Sequence, residues 1–154
     1  MTRKKKIMIW AAVIVILVGG FLALCIRGWT QTYGLPQEVI QGERMPTAEE
    51  TIRLYFYYRN RNDIQAVRQL LTIHMAAEVE EEGENWLPMG HELLSIEPWD
   101  NNESEETATV MGFNVEEREG YLWTSPMSYN WNLGYELRRA DVNHPWRIYF
   151  IGNG

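Results

Sequence analysis

The hydrophobic period of this chain changes once, and that change limits the folds open to it. Ala48, Ile52, Tyr55 and Phe56 recur at three- and four-residue spacing, which gives one apolar helical face with Arg53 turned away. From His91 onward the period is two. Met127, Tyr129, Trp131, Leu133, Tyr135 and Leu137 alternate with Ser128, Asn130, Asn132, Gly134, Glu136 and Arg138, the pattern of a long strand with one face on a core. Thr109, Met111, Phe113 and Val115 alternate likewise, as do Trp146, Ile148 and Phe150, and His91 to Ile96 forms a weaker strand. Helices first and an antiparallel meander of four strands afterwards predict an α+β domain with helices packed on one sheet face.

Local signals set the boundaries. Thr47-Ala48-Glu49-Glu50 is a capping box, in which the threonine oxygen accepts from the Glu50 amide and the Glu50 carboxylate reaches back. Asn60 to Asp63 are turn formers, and Asp63 can cap a second helix carrying Ile64, Val67, Leu70 and Leu71 on one side. Met75 to Val79 extends that helix or makes a short third one, and Glu80 to Asn85 has nothing to bury. Asp100 to Ser104, Glu117 to Gly120 and Ala140 to Pro145 are turn-rich and join neighbouring strands.

Ahead of the domain, Ile7 to Ile26 is a run of 20 uncharged, almost wholly apolar residues preceded by Arg3-Lys4-Lys5-Lys6. As a helix it would extend roughly 30 Å, the thickness of a bilayer core. The basic head against Arg27 alone predicts a single-pass membrane protein, amino terminus cytoplasmic and domain extracytoplasmic. The expected organisation is a cytoplasmic tail over 1–6, a transmembrane helix over 7–26, a stalk over 27–46 and the domain over 47–154. Trp29 and Tyr33 fit interface anchors. Leu22-Ala23-Leu24-Cys25 resembles a lipobox with leucine where a small residue is usual, so a lipoprotein and a cleaved, secreted form stay open beside the uncleaved anchor.

Beyond Thr30 nine arginines face 21 acidic residues and there is no lysine, which excludes nucleic acid as a partner by charge. The one cysteine lies inside the apolar run, so no disulfide braces the domain.

The two ends of the domain, Pro46-Thr47-x-Glu49-Glu50-Thr51 and Trp146-x-Ile148-x-x-x-Gly152-x-Gly154, carry a resemblance. With the helix and strand order between them, the chain resembles the nuclear transport factor 2-like, or cystatin-like, cone, in particular membrane-anchored extracytoplasmic domains of unknown function from Gram-positive bacteria. The resemblance covers Pro46 to Gly154. It implies a curved four-stranded sheet wrapped round the long helix, with a mouth that holds a small ligand or is filled by side chains. Such folds host isomerases, adaptors and scaffolds alike, so activity must be argued from residues.

No catalytic constellation stands out. Asp63 and Asp141 sit in turns. His74, His91 and His144 lack the spacing of a zinc site, and Glu78, Glu80, Glu81, Glu82 and Glu84 lack the alternating pattern of a calcium loop. The expectation is therefore no enzyme, no metal and no cofactor. Trp131 and Trp146 take inward strand positions, whereas Trp86, Trp99 and Trp123 fall near loops or strand ends. Tyr55, Trp131 and Tyr135 are the candidates to line a cone, and Trp86, Trp99 and Trp123 the candidates for an exposed partner or glycan surface. The expected role is a non-enzymatic interaction or scaffold domain with a protein partner in the cell envelope and the bilayer held through 7–26. The alternative is a small-ligand-binding or enzymatic cone.

Overall fold

The computed structural model describes residues 9–10, 12–20, 31–82, 91–119 and 129–153. The chain forms two compact units, Met1–Gln31 and Thr32–Gly154. In the first, residues 9–10 and 12–20 are helical. Among the described residues no helix is long and apolar enough to cross a membrane. This corrects the membrane span expected over 7–26, of which residues 7, 8, 11 and 21–26 lie outside the described residues. The bilayer partner, the cytoplasmic amino terminus and the extracytoplasmic placement all depended on that span and are withdrawn with it. Trp29 also lies outside the described residues.

The second unit contains α1 (Gln37–Ile40), α2 (Ala48–Arg59), α3 (Ile64–Leu70), α4 (Ile73–Glu82), β1 (His91–Pro98), β2 (Val110–Glu119), β3 (Tyr129–Arg138) and β4 (Arg147–Gly152). It begins at Thr32 rather than Thr47. Tyr33, Leu35 and Val39, placed by the sequence pattern in a stalk, are buried in the common core. Without a second hydrophobic period to flag them, four-residue α1 and its flanks read as linker.

α2 starts where its cap requires. Thr47 Oγ1 accepts from the Glu50 amide at 3.2 Å, and Glu50 Oε2 accepts from the Thr47 amide at 2.8 Å. Asp63 caps α3 through Ala66 at 3.1 Å. The turn between α2 and α3 has Asn62 in the left-handed region, φ 56°, a conformation that asparagine tolerates.

The strands pair in the order β1-β2-β3-β4, each antiparallel to the next. The result is an open sheet with β1 and β4 at its edges, and this corrects the cone expected from the resemblance. Met111, Phe113, Val115, Tyr135, Leu137 and Ile148 point from one face into the core, where they meet Ile52, Tyr55 and Phe56 of α2 and Val67 of α3. Each such side chain contributes about 1.5–3 kcal/mol by leaving water. The opposite face presents Val110, Asn114, Asn132 and Arg138 to solvent.

Two irregularities move side chains between faces. A register shift between Glu136 and Leu137 pairs Leu137 with Ile148 but Glu136 with Phe150, so Tyr149 is the extra residue of a bulge. Phe150, which simple alternation would put beside Ile148, is turned to the outer face and is 42% exposed. β1 shifts similarly at Leu94. Outside the sheet, Leu71 bridges to Ile148 in parallel, and the Thr72 amide donates to the Ile148 carbonyl at 2.9 Å along the β4 edge.

Candidate functional site

Two arrangements on opposite faces of the sheet hold the residues that chemistry could use. On the core side, α2 places Tyr55 and Arg59 one turn apart, and β2 and β3 supply Glu117 and Tyr135. All four are buried. Arg59 Nη1 lies 3.6 Å from Glu117 Oε2, and the Tyr135 hydroxyl donates to the same carboxylate oxygen at 3.4 Å. The Tyr55 and Tyr135 rings meet edge-on with centroids 6.2 Å apart, and the Arg59 guanidinium stands 5.5 Å from the Tyr55 centroid. Burial raises both phenol pKa values, that of Tyr135 well above the ordinary value, with Tyr55 and Glu117 adding to the shift. Both phenols therefore keep their protons and act as donors or acceptors rather than as bases. Leu93 and Trp131 lie directly across from Glu117 on either side, in the same row of the sheet face.

On the outer face, the hairpin between β1 and β2 folds Trp99 back over the sheet. The Trp99 amide donates to the Gly112 carbonyl at 2.9 Å, and its indole Nε1–H donates to Asn114 Oδ1 at 3.0 Å. The first bond fixes the main chain at Trp99 and the second fixes the ring. The six-membered ring lies over Gly112 so closely that a Cβ there would stand 1.9 Å from Cε3. A Cβ on Gly134 would meet Cζ2 at 3.4 Å. Glycine is needed at Gly112 for this approach and not for a turn.

Asn102 completes the arrangement. Its Nδ2 donates to the Gly112 carbonyl at 2.7 Å, and its Oδ1 accepts from the Gly112 amide at 2.9 Å. The side-chain amide thus takes the place of a peptide group on a neighbouring strand, just beyond the point where β1 ends. Trp99, Asn101, Asn102, Glu103, Thr109, Val110 and Gly112 line a groove of about 340 Å³ here. That volume falls at the lower end of small-ligand sites.

The loop that carries the groove is braced from behind. Glu105 Oε1 accepts from the Ala48 amide at 2.7 Å and from the Trp146 indole at 2.9 Å. Arg139 Nε donates to the Ala108 carbonyl at 2.8 Å and Nη2 donates to the Glu105 carbonyl, with the guanidinium 4.3 Å from the Trp146 ring centroid. The groove therefore sits on a loop tied to α2 and β4.

Of the residues singled out from sequence, Tyr55 and Tyr135 do come together, but as buried core rather than as the lining of an open mouth. Trp131 faces the same side of the sheet and is 43% exposed, where strand parity alone suggested burial. Trp99 is half-buried on the opposite face, so the two groups do not form one site. Trp86 and Trp123 lie outside the described residues. Among the described residues no group of three or more His, Cys, Asp or Glu side chains could hold a metal ion. Sequence reasoning missed Arg59, Glu117 and Asn102. Arg59 falls on the helical stripe three residues beyond Phe56, and Gly112 and Gly134 interrupt alternating strands, a signal of close approach that does not name the approaching group.

No family model matches the chain, and no curated protein matches it. Its fold is similar to the solution structure of a SEC-C motif containing protein from Rhodopseudomonas palustris, with a TM-score of 0.53 and 11% sequence identity. The likeness covers 76% of this chain and 87% of that one. At this identity it shows the shared fold alone. Neither finding supports the expected membership of the nuclear transport factor 2-like family or an envelope protein partner, and both expectations are withdrawn.

Proposed function

We propose that the Thr32–Gly154 unit is a non-enzymatic small-ligand-binding domain whose site is the Trp99 groove on the outer face of the sheet. The observation that carries this reading is the placement of the indole. A large aromatic ring is laid flat on a glycine, anchored at its amide and its Nε1–H, and set beside a groove with amide, hydroxyl and carboxylate walls. Fixed rings with few convergent polar groups are what small-ligand sites are made of. Binding rather than catalysis suits the groove, since among the described residues its one titratable wall residue is the exposed Glu103 and an acid–base couple needs a second group.

Nuclear magnetic resonance on the full chain tests this directly. A fragment library is titrated while the Trp99 indole N–H cross-peak is followed, with Trp99→Phe used to assign it. At least one fragment is expected to shift that peak saturably. A library that leaves the peak unmoved at every concentration removes the reading.

A further inference from the structure

We propose that the groove takes a neutral sugar, with one pyranose ring seated on the free face of the Trp99 indole. This rests on the ligand-binding reading above and names the ligand class.

Three observations converge on that class. One face of the indole is taken up by Gly112 and Gly134, so the other is directed away from the sheet, and the residue as a whole is half-buried. An aromatic face is electron-rich and attracts the polarised C–H groups that line one side of a pyranose. The ring is also held before any ligand arrives, so little ordering cost falls on binding.

The polar groups beside the platform match hydroxyls. Asn102 spends one amide N–H and one oxygen lone pair on Gly112, which fixes its plane, and an amide has a second donor and a second lone pair to offer. Asn101, Glu103 and Thr109, all exposed, add a further amide, a carboxylate and a hydroxyl. Adjacent sugar hydroxyls each donate and accept, so paired donor and acceptor atoms on neighbouring side chains suit them.

Charge selects against the other flat or polar ligands. Among the described residues no arginine lines the groove and Glu103 does, and Arg138, across from Val110 on the same face, is paired with Glu136 at 2.6 Å, so phosphates, nucleotides and carboxylates meet a carboxylate and no uncommitted cation in that wall. A quaternary ammonium would welcome Glu103, but such ions are held by cages of several rings, and among the described residues Trp99 is the one aromatic side chain in this wall.

The test uses the full chain and the same indole cross-peak. Maltotriose, cellotriose and N,N′,N″-triacetylchitotriose serve as neutral probes, with adenosine monophosphate and tetramethylammonium as charged ones. At least one neutral trisaccharide is expected to shift the Trp99 peak saturably, and its affinity, read by isothermal titration calorimetry for the parent and every variant, is expected to weaken about tenfold or more in Trp99→Ala, a difference of about 1.4 kcal/mol. Because Trp99→Ala also uncovers Gly112, Asn101→Ala and Glu103→Ala at exposed positions provide the check independent of folding, and each is expected to weaken binding severalfold. A shift by a charged probe with no response to any sugar overturns the sugar assignment and leaves the groove a ligand site. Sugar binding that is indifferent to all three substitutions overturns the assignment too. Silence from every probe and from the fragment library removes the site itself.

Discussion

Glu105 and Trp146, 41 residues apart, are joined by a hydrogen bond of 2.9 Å from the indole Nε1–H to Oε1. The same oxygen accepts from the Ala48 amide at the start of α2. One carboxylate thus closes the end of a helix and satisfies the polar edge of a fully buried tryptophan, while its backbone belongs to the loop that shapes the groove.

Glu105→Ala leaves both donors without that acceptor. Orphaned donors cost about 1–3 kcal/mol each when buried, and Trp146 is 2% exposed. Denaturant unfolding is expected to show a loss of about 2–4 kcal/mol, within the range set by those two donors. Glu105→Gln keeps an oxygen in place and should lose less than half as much. Equal losses for the two variants would contradict the dual-acceptor role.

Gly112→Ala puts a methyl group where the Trp99 ring lies, so the ring must lift from the sheet and strain its bond to Asn114. Overpacking of this kind costs about 1–3 kcal/mol. The variant should unfold at lower denaturant, and the Trp99 indole resonance should move even without ligand. Gly134→Ala, with its 3.4 Å approach, should be much milder.

The Arg59–Glu117 pair is a structural test of its own. Removing one member of a buried pair costs about 3–5 kcal/mol, whereas replacing both with apolar residues of similar size is often neutral. Glu117→Leu alone should be severely destabilising, and Arg59→Met with Glu117→Leu should recover much of the loss. A double variant as unstable as the sum of its singles would show that the charges are needed for more than each other.

Acid should weaken the start of α2. Hydrogen bonds from Arg44, at 2.8 and 2.6 Å, hold the Glu50 carboxyl below its ordinary pKa, with the Thr47 amide helping. A depressed carboxyl stabilises the fold fully above its unfolded value, and that share is lost as pH falls through the folded value. Glu50→Gln should therefore be less stable than the parent at neutral pH, with the gap closing in acid. Tm measured across that range checks the direction.

Much of the architecture was written in residue spacing. Capping at Thr47 and Asp63 marks two helix starts, and alternation at Thr109 to Val115 and from Tyr129 to Leu137 marks two strands. What spacing could not carry were features set by contacts distant in sequence. Phe150 is turned outward by one bulged residue, and Tyr33, Leu35 and Val39 join the core without a period of their own. Glu117 reads as the start of a turn, because nothing local reveals that Arg59 waits across the core. The expected span over 7–26 fails differently: among the described residues no helix is long and apolar enough to cross a membrane, and an apolar run by itself specifies composition rather than a span.

By sequence Trp99 reads as a residue near a strand end, and its role depends on Gly112 and Asn102, 13 and 3 residues away. No window on the sequence joins an indole to the glycine beneath it. The strand glycines were the available clue.

The bridge between Leu71 and Ile148 has a consequence for life in a crowded solution. A sheet with a bare flank invites a stranger's strand, and stacking of that kind is a route to fibrils. Here the segment leading into α4 occupies part of the β4 flank, spending the Ile148 carbonyl on the Thr72 amide. The molecule guards that side with its own backbone, and loosening the α3–α4 junction would uncover that part of the β4 flank.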